Sequence, residues 1–479
     1  YNAIQNYLSP LSNNQPPRRA RRKGFVVNAD QFNGVCPIDA PVTTYDVTAV
    51  LANDVLPNNL GVTIPGNVGG DSDGDGIGDN NGGPLNPDGG TLVYNRRGTE
   101  VPIGCNVVVA EGEVCPDLEV ITASGPLNDP TAMMYVRTED LVIDEAARQA
   151  IIDGGGLDPC VGIDPVTGDA VPSEDLPNPV ILPGCPATLA ANAPVEPLVL
   201  RANAGDCIEV ALRNRLPAAA PDLAGWQDMM WGVKRNIQID PVTGLPEMHF
   251  FNNNLIRPSS LVGLHPQLVE YDVTRHDGTV VGQRDLDVEN GNLALPGSAT
   301  TARWYAGDLA FDRVAEGQWE VTATPIEFGG SNLLSADRIK QSQKGLFGAL
   351  SILPAGSTYP DTLAELEAAG ELVPDSQADE TATPLKTRTT RAQVTVDAGP
   401  LGPAGDGGVF RDNLLVGHKI GNARWADGTA VINVNQGELG REGAEDSGQA
   451  GFNYGMEPSW FRFGLQPDAP FGNAGTPNS

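Results

Sequence analysis

The chain alternates apolar and polar positions in short runs and seldom repeats them at helical spacing. Val42–Leu51 (VTTYDVTAVL) reads as a strand. Thr91–Arg96, Asn106–Ala110, Leu118–Ala123 and Ala132–Arg137 read as further short strands between turns. From Pro197 the pattern sharpens, and PLVLRANAGDCIEVALRNRLP alternates on both sides of the turn Ala204-Gly205-Asp206. Later strands are predicted at Leu268–Thr274, Thr300–Tyr305, Trp319–Pro325 and Leu346–Pro354. Helical spacing is clearest in Tyr359–Gly370 (YPDTLAELEAAG), where Leu363, Leu366 and Ala369 lie near one face ahead of a Gly stop. A helical turn is also predicted within IDEAARQAII, near residue 145.

Composition supports the same class. Gly 57 and Pro 40 are about a fifth of 479 residues, and helix interiors tolerate neither well. An all-β protein built of sandwiches follows. The length suits two to four domains. An arm (1–40) rich in Asn, Pro and Arg precedes a long β unit (41–373) with insertions at 71–82 and 141–195. An acidic linker (374–386) leads to a second β unit (387–479) that stops abruptly, as if incomplete.

Lys plus Arg is 30 against 61 Asp plus Glu, a formal charge of −31. So acidic a surface repels phosphate backbones and anionic lipid, which argues against nucleic acid and membrane surfaces and favours cations, metal ions among them. No run approaches about 18 apolar residues, so no span is expected. Against this background Arg18–Lys23 (RRARRK) is a basic cluster, read as a surface arm that docks on an acidic face. The six cysteines, Cys36, Cys105, Cys115, Cys160, Cys185 and Cys207, form no CxxC pair and suit three disulfides, with fifteen connectivities open. Disulfides, few lysines and strong negative charge predict an extracellular, cell-surface or periplasmic protein.

The most specific short motif is DSDGDGIGD. Asp71, Asp73, Asp75 and Asp79 occupy alternate ligand positions, Gly76 the turn, and Ile77 offers a backbone carbonyl, a pattern suited to calcium. It resembles the calcium loops of thrombospondin type 3 and dockerin repeats. Position 12 is Gly82, so a bidentate carboxylate must come from elsewhere, such as Asp88. Of four histidines, His276 is expected exposed in a turn and His418 structural. His249 either buries against Phe250 or Phe251 or binds a metal, and the context of His265 (SLVGLHPQLVEYD) suggests a ligand. No HxH, HExxH or HCH occurs, and no strand–turn–helix nucleophile elbow appears.

PLVLRANAGDCIEVALRNRLP resembles the first-domain strand–turn–strand of multicopper oxidases. The likeness continues in order through SSLVGLHPQLVEYDVTRHDGTVVG (the first copper motif), PGSATTARWYAGD (the PG…Y-x-W strand pair) and KGLFGALSILPAGSTY, the strand that closes the first domain. In the second unit, VFRDNLLVGHKIGN and EDSGQAGFNYGMEPSWFRFG resemble the large bacterial members related to manganese oxidases. The resemblance spans about Pro197 to Phe471 and implies cupredoxin-like Greek-key sandwiches. It further implies oxidation of a substrate such as Mn(II) with reduction of dioxygen, His265 and His249 being the copper candidates.

The departures are sharp. His-x-His is replaced by His265-Pro266-Gln267, and SNLLSADRIKQSQKG holds no histidine where a second pair belongs. A type 1 copper needs a thiolate and two imidazoles, and a trinuclear cluster needs many more imidazoles. Two readings follow. The chain is the N-terminal part of an oxidase whose copper ligands lie in further C-terminal cupredoxin domains or a partner chain, a reading its abrupt end favours. Alternatively it is a calcium-stabilised extracellular scaffold, a surface protein or a homo-oligomeric filament subunit.

Overall fold

The computed structural model describes residues 25–65, 85–96, 100–105, 120–164, 167–172, 181–221, 237–239, 246–248, 258–273, 275–279, 292–338, 340–369, 390–402, 408–420, 423–429, 431 and 450–456. Among these the alternating runs form two sheets packed face to face. The strands are β1 (Val42–Leu51), β2 (Met133–Arg137), β3 (Leu198–Asn203), β4 (Cys207–Asn214), β5 (Leu264–His265) and β6 (Glu270–Tyr271). There follow β7 (Ala299–Tyr305), β8 (Gly307–Ala315), β9 (Gln318–Pro325), β10 (Gly329–Ser335) and β11 (Gly348–Leu353). One sheet runs β6–β7–β4–β1–β2, the other β3–β11–β10–β5. β1 lies parallel to β4 and β3 parallel to β11, while β4–β7, β1–β2 and β10–β11 are antiparallel.

Period-two patterning explains which side chains meet. From β4, Ile208, Val210 and Leu212 point between the sheets and join Tyr45, Val47 and Ala49 of β1 with Leu200, Trp304, Leu350 and Ile352. The alternate residues of β1 and β2, Val50, Met134 and Val136, face the other way into a second core. That core also holds Phe347, Ala392, Leu414, Val416, Trp425 and Tyr454. So β1 ends in five consecutive buried residues because apolar groups cover both its faces.

Residues of the expected second β unit form the hairpin β12 (Gln393–Asp397) and β13 (Val409–Asn413), then the small sheet β14 (Gly417–Lys419), β15 (Ala450–Phe452) and β16 (Gly455–Met456). They pack on the sandwich through the second core. Paired charges ring this junction. Arg391, 3% exposed, makes a bidentate bond to Asp140 (2.6 and 2.9 Å), and its amide donates to Glu196 at 2.7 Å. The fully buried Arg201 donates to Asp412 at 2.8 Å and to the Arg391 carbonyl at 2.5 Å. Arg137 pairs with Asp361 while lying 4.1 Å over the Tyr45 ring.

Two disulfides are formed among the described residues. Cys36–Cys207 ties the end of the arm to the start of β4, and Cys160–Cys185 staples the loop-rich 141–195 insertion. Cys115 and the side chain of Cys105 lie outside the described residues. Helices are short. α1 (Glu145–Asp153) starts at Asp144, which accepts from the Ala147 amide. α2 (Leu363–Ala368) has a Thr362/Glu365 capping box. No helix among the described residues is long and apolar enough to cross a membrane.

Candidate functional site

β5 is the last strand of one sheet and β6 the last of the other, and four residues, 266–269, cross between them. Leu268 takes the corner at φ 63°, a conformation that costs a bulky residue energy, and Val269 plugs into the core. The strand expected over Leu268–Thr274 is therefore cut to Glu270–Tyr271. The chain turns again at Asp272, whose carbonyl accepts from the amides of Arg275 and His276.

His265 sits at this rim, 15% exposed at its side chain. Its Nδ1 lies 2.8 Å from the Asp277 carbonyl and 3.3 Å from the Asp277 carboxylate, so Nδ1 carries the hydrogen. The close approach depends on Gly278 (φ 69°), where a Cβ would sit 2.1 Å from the Leu264 carbonyl. Burial raises the Asp277 pKa, but donors from His265 and Thr279 outweigh it and hold the carboxyl below its usual value. Burial raises Tyr271, and the neighbouring Asp277 raises it further. The Tyr271 ring meets His265 edge-on at 6.0 Å. Beside them Glu270 is pushed up to about 7, first by burial and then by its hydrogen-bonded partner Asp308.

His276 is half-buried, not exposed as expected for a residue in a turn. The turn folds inward: the His276 carbonyl accepts from the Trp304 indole at 3.3 Å, and burial lowers the imidazole pKa against the pull of Asp272. His418 lies on β14 in the second core, stacked on Phe347 at 5.3 Å with Tyr454 at 6.0 Å and Tyr94 at 6.3 Å. Its Nε2 accepts from the Tyr454 amide at 3.1 Å, and burial pushes its pKa down to about 4. A hollow of about 860 Å³ opens nearby, past Tyr94, Tyr454, Leu60, Arg96 and Asn192.

These groups do not assemble a copper site. The four described cysteines are in disulfides and offer no thiolate. His265 spends Nδ1 on Asp277, His418 is enclosed by aromatics in the other core, and no three His, Cys, Asp or Glu converge among the described residues. Asp71, Asp73, Asp75, Ile77, Asp79 and His249 lie outside the described residues. No family model matches the chain, and no curated protein matches it.

Sequence reasoning named His265 but missed its partners Asp277 and Tyr271 and the Glu270–Asp308 pair. In so acidic a chain single carboxylates carry little signal. The available clue was the His276-Asp277-Gly278 turn, since an Asp before a turn glycine is poised to take local donors.

Proposed function

We propose that the chain is the N-terminal, copper-free portion of a secreted multicopper-oxidase-like protein with a cupredoxin-like Greek-key sandwich. The oxidation, of a substrate such as Mn(II) with reduction of dioxygen, would depend on copper ligands supplied outside the described residues. One observation carries the reading: segments that bear the resemblance fall side by side in one sandwich. The PLVLRAN strand pairs with the GALSIL strand, the CIEVALRN strand with the ATTARWY strand, and His265 lies on the edge strand. The parallel pairings of β1 with β4 and β3 with β11 join strands distant in sequence, so each needs a crossover connection rather than a hairpin. The two disulfides support an oxidising compartment.

The donor set supports a second reading, a non-enzymatic extracellular scaffold. The two are separated by the intact mass, under denaturing and reducing conditions, and the copper content of the protein isolated from its source. The first expects a mass well above 50.2 kDa with copper and strong visible absorption. A copper-free, colourless protein overturns it and leaves the scaffold. Both readings place calcium at Asp71–Asp79, so EDTA should lower the melting temperature and added calcium restore it. An unchanged melting temperature removes calcium from both.

A further inference from the structure

The hollow of about 860 Å³ beside Tyr94 and Tyr454 is walled chiefly by residues 56–60, 93–96 and 188–195. No carboxylate is among the described residues that line it, in a chain with 61 Asp and Glu, and Arg96 is the one charged group there. The rest of the wall is amide, hydroxyl and apolar, with Asn59, Asn192, Leu60 and Val195 among its side chains.

One wall is the edge of a strand. Among the described residues Leu92–Asn95 pairs with Leu127–Asp129 alone, with a bulge between Val93 and Asn95. The bonds of Asn128 decide which way Val93 points. Asn128 exchanges both of its backbone bonds with Arg424, at 3.0 and 2.6 Å, and so gives none to Val93, its partner in register. In an antiparallel ladder, two residues paired without hydrogen bonds turn their N–H and C=O groups away from each other. Val93 therefore turns both outward, and it is half-buried, lines the hollow and has no backbone bond among the described residues. Leu92 and Tyr94, on either side of it, are buried and hold the strand in its extended form. A half-buried backbone pair without a partner is costly, and an open strand edge is a template for another chain.

We propose that the hollow binds an extended, uncharged peptide segment, which adds to this strand by pairing with Val93. The edge supplies backbone bonds, and the hollow takes alternate side chains of the segment. Charge sets the preference. A lysine or arginine finds no carboxylate in the hollow to replace the water it loses, and an acidic segment is repelled by a chain of formal charge −31. The proposal does not depend on copper.

Panning short random peptides, displayed on phage, against the full chain tests it. Enriched sequences should be poor in charged residues. A fluorescein-labelled copy of one should bind in an anisotropy titration, and N-methylating its alternate backbone amides should weaken it at least about tenfold. Val93→Pro removes an N–H that the ladder does not use, a change edge strands tolerate, and should weaken binding by at least about the same factor. Asn59→Trp, at an exposed position on another wall, fills the hollow and should do the same, which keeps the test open if proline disturbs the strand. No enrichment over the uncoated support overturns the proposal. So do peptides rich in Lys, Arg, Asp or Glu, binding that survives N-methylation, or binding indifferent to both variants.

Discussion

The core between the sheets is sealed by Leu200, Ile208, Trp304 and Leu350, all apolar and fully buried, whereas the core on the flank is ringed by Arg391–Asp140, Arg201–Asp412 and Arg137–Asp361. The first loses stability in proportion to the volume removed. The second holds charges whose desolvation cost is met only while each partner stays in place. The flank should therefore fail as a unit, and it is the part that fastens residues 390–456 to the sandwich.

Removing one of those partners should have the largest effect. Arg391→Ala leaves Asp140 buried without its cation and is expected to cost about 3–5 kcal/mol in denaturant unfolding. Hydrogen exchange should show residues 390–416 opening before β1, β4 and β7. Replacing both partners, Arg391→Met with Asp140→Leu, should recover most of the loss. If the double variant is as unstable as Arg391→Ala, the penalty is not that of an orphaned charge.

A cavity in the first core should cost less and act evenly. Leu350→Ala is expected to lose about 3 kcal/mol with a single cooperative transition. A transition that splits the two cores would contradict the contrast drawn here.

His418 beside the second core and Glu270 at the rim should respond oppositely to pH. His418 takes up its proton in the unfolded chain near pH 6.5 but in the folded chain only near about 4, so stability falls as pH drops through that window, by about 2–3 kcal/mol. A His418→Phe variant should lose that slope in urea titrations at pH 4–7. Glu270 behaves inversely. Folded, it keeps its proton up to about 7, so its contribution is present at acid pH and fades as pH rises from the ordinary carboxylate range through 7. The group is only partly buried, so the slope should be small, below about 1 kcal/mol, and absent in Glu270→Gln.

How much of this was legible depends on how many faces of each strand are buried. β1, β3 and β4 announce themselves by clean alternation or near-continuous apolar runs, and α2 by the helical spacing of Leu363, Leu366 and Ala369. β8 and β10 escaped notice. Asp308, Asp312 and Arg313 interrupt β8, where most side chains face water, and Gly329, Gly330 and Asn332 weaken the signal of β10. At the rim the sequence marked His265, but its orientation rests on Asp277, brought in by a turn 12 residues on and by the close approach at Gly278. Such a contact leaves no periodic trace. The four-residue crossing over Leu268 likewise reads as a strand, because its apolar residues belong to a corner rather than to a pleat.

The parallel pairing of β1 with β4 carries a consequence for timing during synthesis. β1 is made early yet becomes the fourth strand of a five-stranded sheet; β2 can pair with one edge once Met133–Arg137 is made, but the neighbour on its other edge arrives only with Cys207, 171 residues after Cys36. At translation rates of about 5–20 residues per second, that leaves one edge of an apolar strand unpaired for roughly 10–30 s. The emerging chain must be kept from collapsing or pairing wrongly for that whole interval. A chaperone that holds its first two hundred residues open should therefore raise the yield of folded protein more than any help given to the later hairpins.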